Sequence, residues 1–307
     1  MDEDIPPLKV WAYSAIMTLG FLSLFLGYTY SPFGPYAKIF EAYSVNIQKA
    51  LIEKNTRDKS AISIVILGSS LTDRALLDAA EIEQAIAEQT NKRVNVLRVA
   101  LYGLNMKLAE RINFFKYIVR YPPKYLFLEN VAINLDDENS MEIPLPVDAA
   151  LLYLRNKVRV VIGLAPHPNY YEKWYNFDIK PFAESDFYTN NFDSVAFKSL
   201  QSKRRSVRRP SINEIANEAY QALSKMNSKV IFLGMPQSDK LQTNFLDEGG
   251  NVEFSNVQEF YRQHYNIDSW EYPGQMDDSY FMDGIHLNYE GSKKYQSWFV
   301  SQFASMK

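Results

Sequence analysis

Near its C-terminus the sequence reads Phe281-Met282-Asp283-Gly284-Ile285-His286-Leu287-Asn288. An Asp three residues before a His can hold the ring in one tautomer and leave its other nitrogen free to act as a base. A base needs a nucleophile, and the candidate stands more than two hundred residues earlier, in Ile64-Val65-Ile66-Leu67-Gly68-Ser69-Ser70-Leu71-Thr72. A Ser at the tip of a strand-to-helix turn is exposed, and the helix N-terminus behind it favours developing negative charge. Ser70 is therefore the expected nucleophile, His286 the base that takes its proton, and Asp283 the group that orients the ring. A tetrahedral intermediate also needs fixed donors around its oxyanion. The backbone N–H groups of Ser70 and Gly103, together with an Asn side-chain amide, are the expected donors.

The elements that must position these residues alternate along the chain. Short apolar, β-branched runs at 61–67, 94–99, 125–128 and 229–233 read as strands. Helical spacing follows over 72–88, 106–119 and 211–226. Strands alternating with helices predict a parallel sheet covered on both faces, with its site at the carboxyl ends of the strands. Gly68-Ser69-Ser70, Gly103 and Asn130 all fall just after predicted strands. The pattern weakens between 135 and 210 and again over 239–275, which read as insertions. In the first of these, His167–Tyr171 and Trp174-Tyr175 suit a cap over the active face. The basic run Lys203–Arg209 is either a solvated surface or a face that meets an anionic polysaccharide or lipid headgroup.

From Val10 to Ala37 there is no charged residue, and Val10–Tyr30 is long enough to cross a bilayer. Trp11 and Tyr13 stand at one end and Tyr28 and Tyr30 at the other, as an aromatic belt requires. The acidic leader Met1-Asp2-Glu3-Asp4 and the lack of a small-x-small site after the run argue for an uncleaved, single-pass anchor. Residues 1–9 form a short tail and 31–60 a juxtamembrane helix, starting near Tyr36, with a polar linker. The rest, 61–307, reads as one α/β domain. A net charge of -3 gives no reason to expect nucleic acid. Without Cys there is no thiolate metal site, and the three His (His167, His264, His286) leave little for a His-rich zinc site. The chemistry requires neither metal nor organic cofactor.

The motifs resemble those of the SGNH (GDSL-like) hydrolase superfamily from about Ala61 onward. Ile64–Ser70 is similar to the first block, with Ser70 at the nucleophile position. Ala100–Asn105 is similar to the second, with Gly103 as an oxyanion donor, and Asp283–His286 matches the last block. Ser69 stands where the usual motif has Asp, a form that occurs in divergent, membrane-anchored members linked to surface polysaccharides. The third block normally reads Gly-x-Asn-Asp; here Leu128-Glu129-Asn130-Val131-Ala132-Ile133-Asn134 offers Asn130 or Asn134. Asn130 is favoured if the strand stops before it, Asn134 if the strand runs on to Ile133. The resemblance implies a three-layer, flavodoxin-like α/β/α fold and an esterase or O-acyltransferase acting on an acylated glycan. That glycan would be an O-acetylated exopolysaccharide or cell-envelope polymer, met outside the cytoplasm beside polysaccharide biosynthesis or export proteins. The rival expectation is a non-catalytic glycan-binding or assembly protein that keeps the fold.

Overall fold

The computed structural model describes residues 7–31, 33–76, 79–101, 104–133, 151, 154–155, 158–164, 214–239 and 250–306. The chain divides into two compact units, Met1–Tyr43 with Glu142–Lys173, and Ser44–Met141 with Trp174–Lys307.

In the first unit, α1 (Leu8–Tyr30) is a 23-residue helix, long and apolar enough to cross a membrane. At a rise of about 1.5 Å per residue it spans about 34 Å, a little more than a hydrocarbon core. It begins just after Pro7, so Lys9 lies on its first turn rather than outside it. It ends where the Ser31 N–H and hydroxyl both donate to the Tyr28 carbonyl. The helix α2 (Pro35–Arg57), whose residues from Ser44 on belong to the second unit, starts on a proline, whose missing N–H costs nothing at that position. It also runs through Asn55, so the polar linker is shorter than its composition suggests.

The second unit is α/β, built on a five-stranded, all-parallel sheet. Its strands are β1 (Ile62–Gly68), β2 (Val94–Ala100), β3 (Tyr125–Glu129), β4 (Lys229–Leu233) and β5 (Asp268–Trp270), in the order β2-β1-β3-β4-β5. This is the order of flavodoxin-type doubly wound sheets, and it reverses direction between β1 and β3. Alternate strand residues feed two cores. Ile64, Ile66, Val96, Phe127, Ile231 and Leu233 pack with Ile82 and Ile86 of α4 (Ala79–Thr90) and with Phe299 of the C-terminal helix α10 (Tyr289–Ser305). On the other face, Phe232 meets Tyr220 of α8 (Glu214–Ser224) at 5.6 Å and Tyr261 of α9 (Gly250–Tyr265) at 5.3 Å. Burial on both faces is why the strands carry unbroken apolar runs.

Three expectations need correction. The helix predicted over 72–88 is two: α3 (Ser70–Ala75) stops where Leu76 turns extended, and α4 follows. The helix predicted over 106–119 is also two, α5 (Met106–Arg111) and α6 (Phe114–Arg120). They are divided at Asn113, whose φ of 57° is left-handed and tolerated by Asn. The stretch 239–275 is not irregular throughout, because it contains α9 and the edge strand β5. That strand is three residues with a leading Asp, too short and polar to show an apolar run. Most of the other expected insertion, with its cap aromatics and basic run, lies outside the described residues, as does the N-terminal tail before Pro7.

Candidate functional site

The first β-α turn sits at the point where the strand order reverses. β1 ends at Gly68, Ser69 stays extended as the N-cap, and Ser70 is the first residue of α3. Beneath the turn lies Glu129, the last residue of β3 and fully buried. Its carboxylate accepts from the Ser69 N–H at 2.6 Å and the Ser69 hydroxyl at 2.6 Å. It also accepts from the Thr72 hydroxyl at 2.7 Å and the Thr72 N–H at 3.2 Å. Two backbone donors that the start of α3 cannot satisfy within the helix therefore find an acceptor in the Glu129 carboxyl group. The approach needs Gly68, since a Cβ there would sit 1.9 Å from Thr72 Oγ1 and 2.7 Å from Glu129 Oε2.

Two further contacts fix α3. Arg98, buried in β2, donates to Asp73 Oδ1 at 2.7 Å. The Ser292 hydroxyl of α10 donates to the Arg74 carbonyl. A six-residue helix has little stability of its own, so contacts of this kind are what make its position definite.

His286 arrives on a closed loop. Phe281 and Leu287 pair antiparallel, the Met282 N–H donates to the His286 carbonyl at 2.8 Å, and Gly284 turns the chain with a φ of +93° that only glycine adopts easily. The Ser238 N–H, from the loop after β4, donates to the Gly284 carbonyl at 3.0 Å. Asn288 ends the loop and caps α10, accepting from the Gly291 N–H at 3.0 Å while its amide donates to the Ser279 carbonyl at 2.7 Å.

These turns bring the two halves together. Ser70 Oγ lies 2.9 Å from His286 Nε2, and His286 Nδ1 lies 2.7 Å from Asp283 Oδ2. Asp283 Oδ1 meanwhile accepts from the backbone N–H groups of His286 at 2.8 Å and Ile285 at 3.1 Å. Burial pushes the Asp283 carboxyl up, but the hydrogen bonds and charge of His286 and the two N–H donors outweigh it, leaving the group below its ordinary range. An ionised Asp283 keeps the proton on Nδ1 and presents the lone pair of Nε2 to the Ser70 hydroxyl.

The oxyanion side is described in part. β3 stops at Glu129, and Asn130 opens the one-turn helix α7 (Asn130–Ile133), buried beside the site. This is the placement that favours Asn130 over Asn134, which lies outside the described residues together with Gly103. The Leu101 N–H donates to the Gly68 carbonyl at 2.8 Å, so the end of β2 runs alongside the Ser70 turn. Asn105 is the N-cap of α5, accepting from the Leu108 N–H at 2.8 Å. Glu271, the residue after β5, shares the rim. Burial pushes its carboxyl up to about 7, against hydrogen bonds from Gln258 and Asn130 that lower it. Among the described residues, no three His, Asp or Glu side chains gather where they would hold a metal ion.

Glu129, Arg98 and Glu271 are the neighbours that motif reasoning missed. For Glu129 a signal existed, because an acid closing the apolar run Tyr125-Leu126-Phe127-Leu128 must find donors. Comparison of the chain with protein-family models, with curated proteins and with solved structures returns no match.

Proposed function

We propose that the chain is a membrane-anchored serine esterase or O-acyltransferase of the SGNH type, acting on an acylated glycan outside the cytoplasm. One observation carries this reading: the unbroken contact from Ser70 Oγ through His286 to Asp283, set at the carboxyl edge of a parallel sheet. The geometry suits acyl transfer. Ser70 Oγ attacks the ester carbonyl as its proton passes to His286 Nε2, and Asp283 stabilises the imidazolium. Collapse of the tetrahedral intermediate breaks the ester C–O bond, and His286 returns the proton to the departing sugar oxygen. Water, or a second sugar hydroxyl, then gives its proton to His286 and takes the acyl group from Ser70, whose departing Oγ recovers that proton from His286 Nε2. The Ser70 N–H at the start of α3 and the Asn130 amide are the described groups best placed to face the oxyanion; the family resemblance adds Gly103. The three-layer arrangement, the O-acetylated polymer and the neighbouring polysaccharide-export proteins follow from the same resemblance.

The test uses the full chain in detergent and an aryl acetate. Ser70→Ala and His286→Ala abolish acetate release while the circular dichroism spectrum is unchanged; undiminished release by Ser70→Ala refutes the proposal. A second reading, a glycan-binding protein without turnover, draws on Leu128 and Val131 standing where the third block has Gly and Asp. Labelling of Ser70 by a fluorophosphonate separates the two, because only an activated Ser reacts.

A further inference from the structure

At the carboxyl edge of the sheet, register pairs Leu67 with Leu128, Glu129 with Leu233 and Leu233 with Trp270. The residues that follow, Ser69 after β1, Asn130 after β3, Gly234 after β4 and Glu271 after β5, therefore leave the sheet at one level. Asn130 and Glu271 are two strands apart, about 10 Å at the usual spacing, with the end of β4 between them. A Glu side chain crosses that interval only if nothing stands in its way, and the residue there is glycine. A Cβ on Gly234 would lie 1.7 Å from Glu271 Oε2 and 2.4 Å from its Cδ. Two bonds fix this glycine: its N–H donates to the Trp270 carbonyl at 2.8 Å, and its carbonyl accepts from the Tyr295 hydroxyl of α10 at 2.8 Å. The Gln258 amide of α9 donates to Glu271 Oε1 at 2.5 Å. So oriented, the carboxyl accepts from the Asn130 amide.

We infer that Glu271 is a positioning residue for acyl transfer: its carboxyl, laid across Gly234, holds the Asn130 amide with one N–H toward the oxyanion formed at Ser70. Asn130 is 1% exposed, so its protein partners and not water set the direction of its amide. That amide carries two N–H bonds. One given to Glu271 limits where the other can point. A donor aimed in advance costs no reorganisation when charge develops on the substrate oxygen. Gln258 supplies the rigidity this requires, because it holds Glu271 from the helix behind it. Glu271 thus acts through Asn130, from a strand at the opposite end of the order from β2. This role rests on the acyl-transfer reading.

The test is a double-mutant cycle on the full chain in detergent, read by acetate release from an aryl acetate and by the rate of fluorophosphonate labelling. Asn130→Ala is expected to lower kcat about 10²–10³-fold, and Glu271→Ala about 10–10²-fold. In both, KM should stay nearly constant, because an oxyanion donor acts in the transition state. Added to Asn130→Ala, the Glu271 substitution should cost nothing more, since its only route to the reaction is already gone. Glu271→Gln keeps an acceptor for the amide and should recover most of the loss. Because Glu271 is exposed, its variants should keep the parent's circular dichroism spectrum. A Glu271→Ala loss that repeats in full on top of Asn130→Ala overturns the inference, as does a Glu271→Gln variant no faster than Glu271→Ala. A reactive parent matched by Glu271→Ala overturns it alone, whereas a parent that neither releases acetate nor labels overturns the acyl-transfer reading as well.

Discussion

Ser70 and His286 meet at 2.9 Å, yet the residues that hold each of them come from very different distances along the chain. The turn bearing Ser70 rests on Glu129, Arg98 and Ser292, from β3, β2 and α10. The loop bearing His286 is held mainly by its own neighbours: Asp283, the Met282–His286 backbone bond and the Phe281–Leu287 pairing. Long-range supports place Ser70 relative to the sheet. Local supports orient a ring within a loop that closes on itself. The first kind ties chemistry to the stability of the whole unit, and the second leaves the two separable.

Asp283→Asn is the sharpest test of that separation. The amide oxygen can keep accepting from Ile285 and His286, so the loop should hold its shape, but His286 loses the carboxylate that fixes its tautomer. Turnover on an aryl ester is expected to fall about 10⁴-fold with the thermal midpoint almost unmoved. A midpoint that falls with turnover would show the base loop to be a structural support after all. Glu129→Ala should behave oppositely. Two buried N–H groups, of Ser69 and Thr72, lose their acceptor, at a cost of about 2–4 kcal/mol. The turn can then shift, and a displacement of about 1 Å is worth about 10²-fold in rate. Denaturant unfolding and the rate of fluorophosphonate labelling should drop together; an unchanged midpoint would remove Glu129 from the support.

The same contrast explains what could be read from the residues alone. Asp283, His286 and Asn288 interact within a few positions, so spacing displays their geometry, and strands β1 to β4 are visible because burial on two faces demands unbroken apolar runs. Glu129 acts on a turn 60 residues away, and Arg98 on a helix 25 residues away. Nothing local records such a pairing; a charge in an apolar run says only that some partner exists. The break at Asn113 was equally hidden, because apolar spacing continues through it while the backbone does not. The interval between β3 and α8 lacks strong periodicity, and there the chain order says little about structure.

Glu271 refines the comparison at a smaller scale. Asp283 and Glu271 are both drawn upward by burial, but Asp283 receives two backbone N–H bonds and an imidazole, and Glu271 only the side chains of Gln258 and Asn130. The balance of donors therefore decides the sign, down for Asp283 and up to about 7 for Glu271. A carboxyl raised from 4.5 to about 7 on folding binds its proton more tightly in the native state. Its stabilising contribution is then complete below pH 4.5 and disappears as the pH rises through about 7. Glu271→Gln is neutral throughout, so the pH dependence of everything else cancels in the difference between variant and parent. Glu271 is in contact with solvent, which screens the effect to roughly 1 kcal/mol, or about 2–4 °C in the midpoint. The midpoint of the variant relative to the parent should rise by that amount between pH 5 and pH 8, then level off. A difference that stays constant across the range would mean that Glu271 titrates as an ordinary surface acid, and that two amide donors are enough to hold a carboxylate at this edge.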